Sequence, residues 1–508
     1  MVARVRTFAF LGIDTVDVGV EVKLSHGVTS FNIVGLPDKA VNEAKERIRA
    51  SINSMGLSFP SRRLTINLSP ASINKEGSYL DLPMAIGLLV EMGVLEQEVV
   101  DRYIVIGELS LDGTINVVNG ILPAAINAVE KGLGLICPQG SAREALWADE
   151  NIDMVAADSL LTAVNFLNGR CKVERPAVNR ILREAKYPDL KDVWGQRQAK
   201  RALEIAAAGG HNLLMVGPPG SGKSMLAQRI LGIMPDLTAR EILEINMINS
   251  VAGKLVDGEM VSERPFLDPH HSCSMAAMVG GGAKPKPGQI SLAHNGILFL
   301  DELPEFSKQV LDSLRQPLET GKISIARAFQ DITYPAKFQL VAAMNPCRCG
   351  YFSDASRQCR RAPVCAREYQ EKISGPILDR IDLFVDVPRV DVSLCRSKKM
   401  DTGAETSAEY RTRVAGARKM QSDRFGSSSG KLNAQATSEE IEMFMGLDEA
   451  SENMLDLANR KYGFSMRVYS KIIRIARTIA DLEGNENIVL KHIGESLMFR
   501  QAEFLVRN

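Results

Sequence analysis

Two rhythms of apolar residues alternate along the N-terminal part of the chain. TFAFLGI, VDVGVEVKL, RRLTINLS and YIVIGELSL carry apolar residues at alternate positions or in short blocks, the period of a half-buried or buried strand. Between them DKAVNEAKERIRASINSMG, LDLPMAIGLLVEMGVL and GILPAAINAVEKG repeat their apolar positions every three or four residues, as a helix does. Strands punctuated by helices predict a mixed α/β domain over residues 1–170. Residues 171–190 are polar, contain Pro176 and Pro188, and read as a linker. A second α/β block is expected over 191–392, opening with a helix (WGQRQAKRALEIAAAGG), a buried strand (NLLMVG), a loop and a helix (MLAQRILGIM). ILFLDE and FQLVAAMN in that block are almost wholly apolar, as in a parallel sheet covered on both faces. Residues 393–440 read as a polar connection ending in the loop-like DRFGSSSGKLNAQATSEE, and 441–508 as a small all-helical domain that includes MRVYSKIIRIARTIADL.

The loop after NLLMVG is GPPGSGKS: Gly217, Pro218, Pro219, Gly220, Ser221, Gly222, Lys223 and Ser224. It fits the phosphate-loop pattern in the required strand–loop–helix setting. Glycines let successive backbone N–H groups curl around phosphate oxygens, Lys223 reaches the β/γ phosphates, and Ser224 ligates Mg2+. The helix N-terminus adds partial positive charge, so ATP or a close relative is the expected ligand. ILFLDEL puts Asp301 and Glu302 at the end of a buried strand, where ligands sit in open α/β sheets. Asp301 is expected in the Mg2+ shell and Glu302 beside the attacking water. A strand ending in Asp-Glu is common, but next to a phosphate loop it points to hydrolysis. Asn345, at the tip of FQLVAAMNP, suits polarising the same water or merely ending a strand before Pro346. Asp379 and Arg380 precede another apolar strand in SGPILDRIDLF, where a lone arginine usually makes a surface ion pair.

Composition narrows the class without naming the chemistry. At 508 residues, 45% hydrophobic and 24% charged, the chain is ordinary globular material for about three domains. Its formal net charge is zero, so nucleic-acid binding would come from local patches. The N-terminus lacks a signal-peptide cleavage pattern, and no window approaches the roughly 18 apolar residues of a membrane span. A soluble cytoplasmic protein with no membrane partner is expected. Reduced thiols in that compartment make clustered cysteines better metal ligands than disulfides.

The succession GPPGSGKS, RPFLDPHHS, GQISLAHNGILFLDELPEF, AAMNPCRCG, SGPILDRID and FSMRVYSKIIRIARTIADL resembles the magnesium-chelatase-like AAA+ proteins of the bacterial YifB/ComM group, over nearly the whole chain. That resemblance implies an AAA+ P-loop ATPase core with a helical lid, using ATP and Mg2+. It also implies Asn345 as sensor 1, Arg467 as the sensor 2 arginine and Arg380 as an arginine finger acting on a neighbouring subunit, hence a homo-hexamer. Such a finger is worth roughly 10³–10⁵ in rate. The ComM-like role would be that of a helicase promoting branch migration of single-stranded, forked or branched DNA in recombination or natural transformation. The alternative is a chelatase-type motor that remodels a protein partner.

By the same resemblance the N-terminal block is similar to the Lon-type proteolytic fold, and inactive as a protease. Tyr79 stands where the nucleophilic serine belongs and Leu122 where the lysine base belongs, with Ser78 and Lys75 nearby. A Ser–Lys dyad needs both partners within hydrogen-bond reach, and a slip of one residue turns a side chain away.

Two inserts could carry DNA. LETGKISIARAFQDITYPAKFQL alternates like two short strands around a turn and resembles a pore hairpin, with Lys322, Arg327 and Lys337 along it. GGGAKPKPGQISLA places Lys284 and Lys286 between prolines. Solvated surface loops are the other reading; as phosphate contacts the lysines and arginine would grip any sequence. His270 and His271 lack zinc-protease spacing and are expected to pack or hydrogen-bond near a subunit interface. Finally, Cys347, Cys349, Cys359 and Cys365 crowd one insert. The family pattern is two C-x-C pairs; here Arg361 replaces the last cysteine and Cys365, in the first turn of the next helix, could substitute. Four thiolates suit tetrahedral Zn2+, and free reduced thiols are the other reading.

Overall fold

The computed structural model describes residues 2–176, 186–256, 258–282, 286–325, 331–352, 359–390, 405–426 and 429–500. Lys284, Arg327, the middle of the linker and part of the Cys-rich insert lie outside the described residues.

Among the described residues the N-terminal sheet has seven strands, in the spatial order Ser30–Val34, Arg63–Ser69, Asp14–Ser25, Ala3–Leu11, Tyr103–Val105, Gly134–Pro138, Met154–Ala157. Ala3–Leu11 is antiparallel to Asp14–Ser25, which is antiparallel to Arg63–Ser69; the neighbours on the far side of Ala3–Leu11 run parallel. Helix Lys39–Ser54, capped by the Asp38 carboxylate accepting from Val41 N at 2.7 Å, packs with Asp81–Glu91 on one face. Ile121–Glu130 covers the other.

The second sheet is entirely parallel: Phe266–Leu267, Ile297–Leu300, Gln339–Met344, Leu213–Val216, Leu383–Asp386. Leu213–Val216, Ile297–Leu300 and Gln339–Met344 are buried at every residue, as a sheet covered on both faces requires. Helices Arg197–Gly209 and Lys223–Ile233 cover one face. The expected hairpin is present as Lys322–Ile325 antiparallel to Ile332–Pro335, and Gly280–Gly281 pairs with Lys286–Pro287 in the other insert.

The stretch expected as a polar connection over 393–440 contains a 19-residue helix, Ser407–Phe425. It buries only Tyr410, Val414, Ala417 and Gln421, so its average composition hides a narrow core-facing stripe. Tyr410, Val414 and Ala417 pack in the same cluster as Ala202, Leu226 and Ile475. Helices Ser438–Phe444, Glu449–Tyr462, Met466–Leu482 and Leu490–Met498 build the C-terminal cluster.

The two α/β parts touch through helix Ala239–Ala252. Gly120 N donates to Ser250 O at 3.2 Å, and the buried Glu144 carboxylate accepts from Ser250 Oγ at 2.5 Å and Leu122 N at 2.9 Å. Among the described residues no helix is long and apolar enough to cross a membrane.

Candidate active site

Parallel pairing decides where the polar residues meet. Val216 lies opposite Met344, and Leu300 opposite Ala342, so Gly217, Asp301 and Asn345 leave the sheet at one edge. The phosphate loop needs its glycines: a Cβ at Gly217 would stand 2.2 Å from Val387 O, and Gly220 and Gly222 have φ of +73° and +95°. Lys223 opens helix Lys223–Ile233, and its Nζ donates to Gly217 O at 2.8 Å, Pro218 O at 3.0 Å and Asn345 Oδ1 at 3.2 Å. Burial pushes this ammonium below its ordinary pKa, against the pull of Asp301 and Glu302. Ser224 Oγ donates to Asp301 Oδ2 at 2.8 Å, while Glu302 N donates to Asp301 Oδ1 at 2.9 Å. Glu302 itself has φ +52° and a half-exposed side chain.

The donor set suits a triphosphate and its metal. Lys223 rests on carbonyls that a phosphate would outcompete, and Ser221 Oγ is buried with no hydrogen-bond partner among the described residues. One residue here was not read from the sequence. Gln196, at φ +51° before helix Arg197–Gly209, donates from Nε2 to Ser221 O at 3.3 Å and Pro388 O at 2.7 Å. The break Gly195–Gln196 ahead of a helix was the available signal.

Other expected residues sit apart from this cluster. Arg380 is paired with Glu319 and donates to Pro376 O at 2.6 Å. Arg467 is exposed in the first turn of Met466–Leu482, whereas Lys471 on the same helix reaches Asp382 at 2.7 Å. Lys286 and Lys322 are exposed on their hairpins, and Lys337 Nζ donates to Gly430 O at 3.2 Å. His270 and His271 pack tilted at 33° with ring centroids 4.1 Å apart. In the N-terminal part Ser78 Oγ donates to Glu108 and Lys75 Nζ to Pro70 O, while Tyr79 packs edge-on against Phe10. Leu122 is wholly buried.

The sulfurs of Cys347, Cys349, Cys359 and Cys365 all lie within 4.8 Å of one another. Tetrahedral Zn–S bonds of about 2.3 Å put sulfurs about 3.8 Å apart; the set brackets that spacing, with the sulfurs of Cys347 and Cys349 at 3.1 Å. This loop leans on the glycine-rich loop: a Cβ on Gly350 (φ +82°) would stand 2.4 Å from Pro219 Cδ, and Gln370 Nε2 donates to Pro346 O at 2.9 Å.

Comparison with known proteins follows the same division. Residues 189–394 match the family Magnesium chelatase, subunit ChlI, residues 20–141 Subunit ChlI of Mg-chelatase, and residues 404–500 Magnesium chelatase, subunit ChlI C-terminal. Competence protein ComM of Haemophilus influenzae is 43% identical, with 98% of this chain and 97% of that protein covered. The chain belongs to the magnesium-chelatase-like family, in its ComM/YifB group. YifB of Escherichia coli is 42% identical over 99% of this chain and 97% of its own length. The magnesium-chelatase 38 kDa subunit of Rhodobacter capsulatus is 27% identical over 30% of this chain and 49% of its own. Membership makes the parallel-sheet unit an AAA+ ATPase core, and the family implies ATP and Mg2+.

Proposed function

We propose that the chain is an ATP-driven, homo-hexameric motor that acts on branched DNA, promoting branch migration of recombination intermediates. The observation that carries this reading is the meeting of Lys223, Ser224, Asp301, Glu302 and Asn345 at one sheet edge, in a chain similar over its whole length to a competence protein.

The phosphate loop from Gly217 to Ser224 cradles the triphosphate with backbone N–H groups, and Lys223 leaves its carbonyls for the β/γ oxygens. Ser224 and Asp301 would hold Mg2+, which supplies neutralisation of phosphate charge when bound. Glu302 takes the proton of the attacking water, Asn345 orients that water, and in-line attack releases ADP and phosphate. Arg380 exchanges Glu319 for the phosphates of the neighbouring copy, and Arg467 acts from a helical lid, residues 441–508. The hairpins that carry Lys286 and Lys322 line a central pore and grip phosphates without reading sequence, with Lys284 and Arg327, which lie outside the described residues, expected to add charge. In this reading residues 1–170 form an inactive Lon-like domain and 171–190 a linker. Zn2+ on Cys347, Cys349, Cys359 and Cys365 would stiffen the loop that carries Asn345; metal analysis finding no zinc in protein purified without chelator removes that part.

The test is ATP hydrolysis by the full chain with and without a four-way junction, beside Glu302→Gln. Junction-stimulated turnover that vanishes in E302Q, with nucleotide binding retained, is the expected result. Normal turnover in E302Q sinks the assignment of Glu302. Turnover indifferent to DNA favours the second reading, a protein-remodelling motor, which the three magnesium-chelatase matches support.

A further inference from the structure

Strand Phe266–Leu267 lies parallel beside Ile297–Leu300, with Phe266 opposite Ile297 and Leu267 opposite Leu298. Parallel pairing sends the residues after Leu267, the DPHHS of positions 268–272, out at the same edge as Asp301 and Glu302. The electrostatics report that proximity: burial and the Asp301 charge raise the Asp268 carboxyl pKa, and His270 opposes them.

Within this segment His271 is the side chain that faces Glu302, its Nδ1 3.5 Å from Oε2. Its ring is flanked on two sides, with 37% of the side chain exposed. It lies tilted against His270 at a centroid distance of 4.1 Å and 33°, and meets Phe306 edge to face at 6.5 Å and 80°. His270 is pinned in turn: its Nδ1 lies 2.7 Å from Ser272 Oγ, and Cys273 N donates to His270 O at 2.9 Å. Glu302 is the opposite case. Its carboxylate is 52% exposed, and its backbone sits in the left-handed region at φ +52°, ψ +46°. A base that must meet one water in one geometry therefore hangs on a disfavoured backbone, beside an imidazole that His270 and Phe306 flank.

We propose that His271 is a positioning residue for Glu302, donating to one carboxylate oxygen so that the other faces the attacking water; this rests on the reading of Glu302 as the group that activates water. His271 touches neither nucleotide-binding lysine nor serine, so its contribution is to the orientation of the base rather than to affinity.

The experiment is steady-state ATP hydrolysis by the full chain carrying His271→Ala or His271→Asn, beside Glu302→Gln. H271A is expected to lower kcat about ten- to hundredfold, the cost of a misplaced catalytic group, with KM within about twofold. H271N keeps an amide N–H donor near the position of Nδ1 and is expected to recover most of the loss. The inference is overturned if H271A keeps kcat, if its loss falls on KM or on binding of an ATP analogue, or if H271N is as poor as H271A. The control separates the two readings. An E302Q protein that turns over normally removes the role of Glu302 and the inference with it, whereas dead E302Q beside unimpaired H271A removes the inference alone.

Discussion

The two α/β sheets make opposite use of similar materials. Both end strands or loops in lysine, serine and acidic side chains close in sequence. In the parallel sheet three neighbouring strands deliver Lys223, Asp301 and Asn345 to one edge, and their side chains bond to one another or to groups of the phosphate loop. In the mixed N-terminal sheet Ser78 and Lys75 sit three residues apart, yet each is tied elsewhere, to Glu108 and to Pro70 O. Nearness in sequence thus contributes less to a site than strand direction does. A parallel sheet collects the ends of strands far apart in the chain, and an antiparallel pair sends its ends to opposite edges.

The sharpest way to break this comparison is Lys223→Ala. The lysine is buried, bonded among the described residues to carbonyl and amide oxygens, and held below its ordinary pKa by burial. Its energy is therefore directed at an incoming anion, and kcat/KM for ATP should fall by about 10²–10³ or more. Lys75 is also buried and shifted down by burial, but points at a single carbonyl. Lys75→Met should leave hydrolysis within about twofold of the parent, since it removes no transition-state contact. Equal losses in both variants would show that the two lysines do not differ in kind.

The far edge of the same parallel sheet gives the second prediction. Asp382 precedes Leu383–Asp386, accepts from Asn212 N at 3.0 Å, pairs with Lys471 at 2.7 Å and lies 3.7 Å from His211. Burial alone would raise its carboxyl pKa; Lys471 and His211 outweigh it and hold it well below the ordinary range. Because the folded value lies below the unfolded one, the stabilisation is complete above about pH 4 and is lost as pH falls. Asp382→Asn leaves the Lys471 ammonium buried without its counter-charge, at a cost of roughly 3–5 kcal/mol. Denaturant unfolding should show the full loss at neutral pH and a shallower acid dependence in the variant. An unchanged midpoint at neutral pH would contradict it.

Local chemistry was legible in the sequence and convergence was not. GPPGSGKS, the apolar runs ending in Asp301 and Asn345, and the cysteine spacing are all short-range signals, and the fold keeps each. Cys365 joins the sulfur cluster because helix Val364–Gln370 begins one residue before it, which the sequence spacing allowed. Strands Gly134–Pro138 and Met154–Ala157 are only a few residues long and carry no alternation, so periodicity passes over them. Helix Ser407–Phe425 hides because its buried stripe is four residues wide in total. Gln196 and His271 reach the site through backbone turns and strand pairing, neither of which is written locally.

The smallest expected effect tests the quiet side of the comparison. Ser78 Oγ donates to Glu108, and Asn116 Nδ2 also approaches that carboxylate at 3.5 Å. The nearby lysine is bonded to Pro70 O and not to Ser78, so the Ser–Lys pair that would activate the serine is not assembled. Ser78→Ala should therefore cost about 1 kcal/mol of stability, the size of one hydrogen bond, and leave ATP turnover unchanged. A fluorophosphonate probe should label the parent no more than the variant. Stoichiometric labelling that disappears in S78A would mean that the N-terminal sheet assembles a working serine after all, and the contrast between the two sheets would have to be redrawn around what activates it.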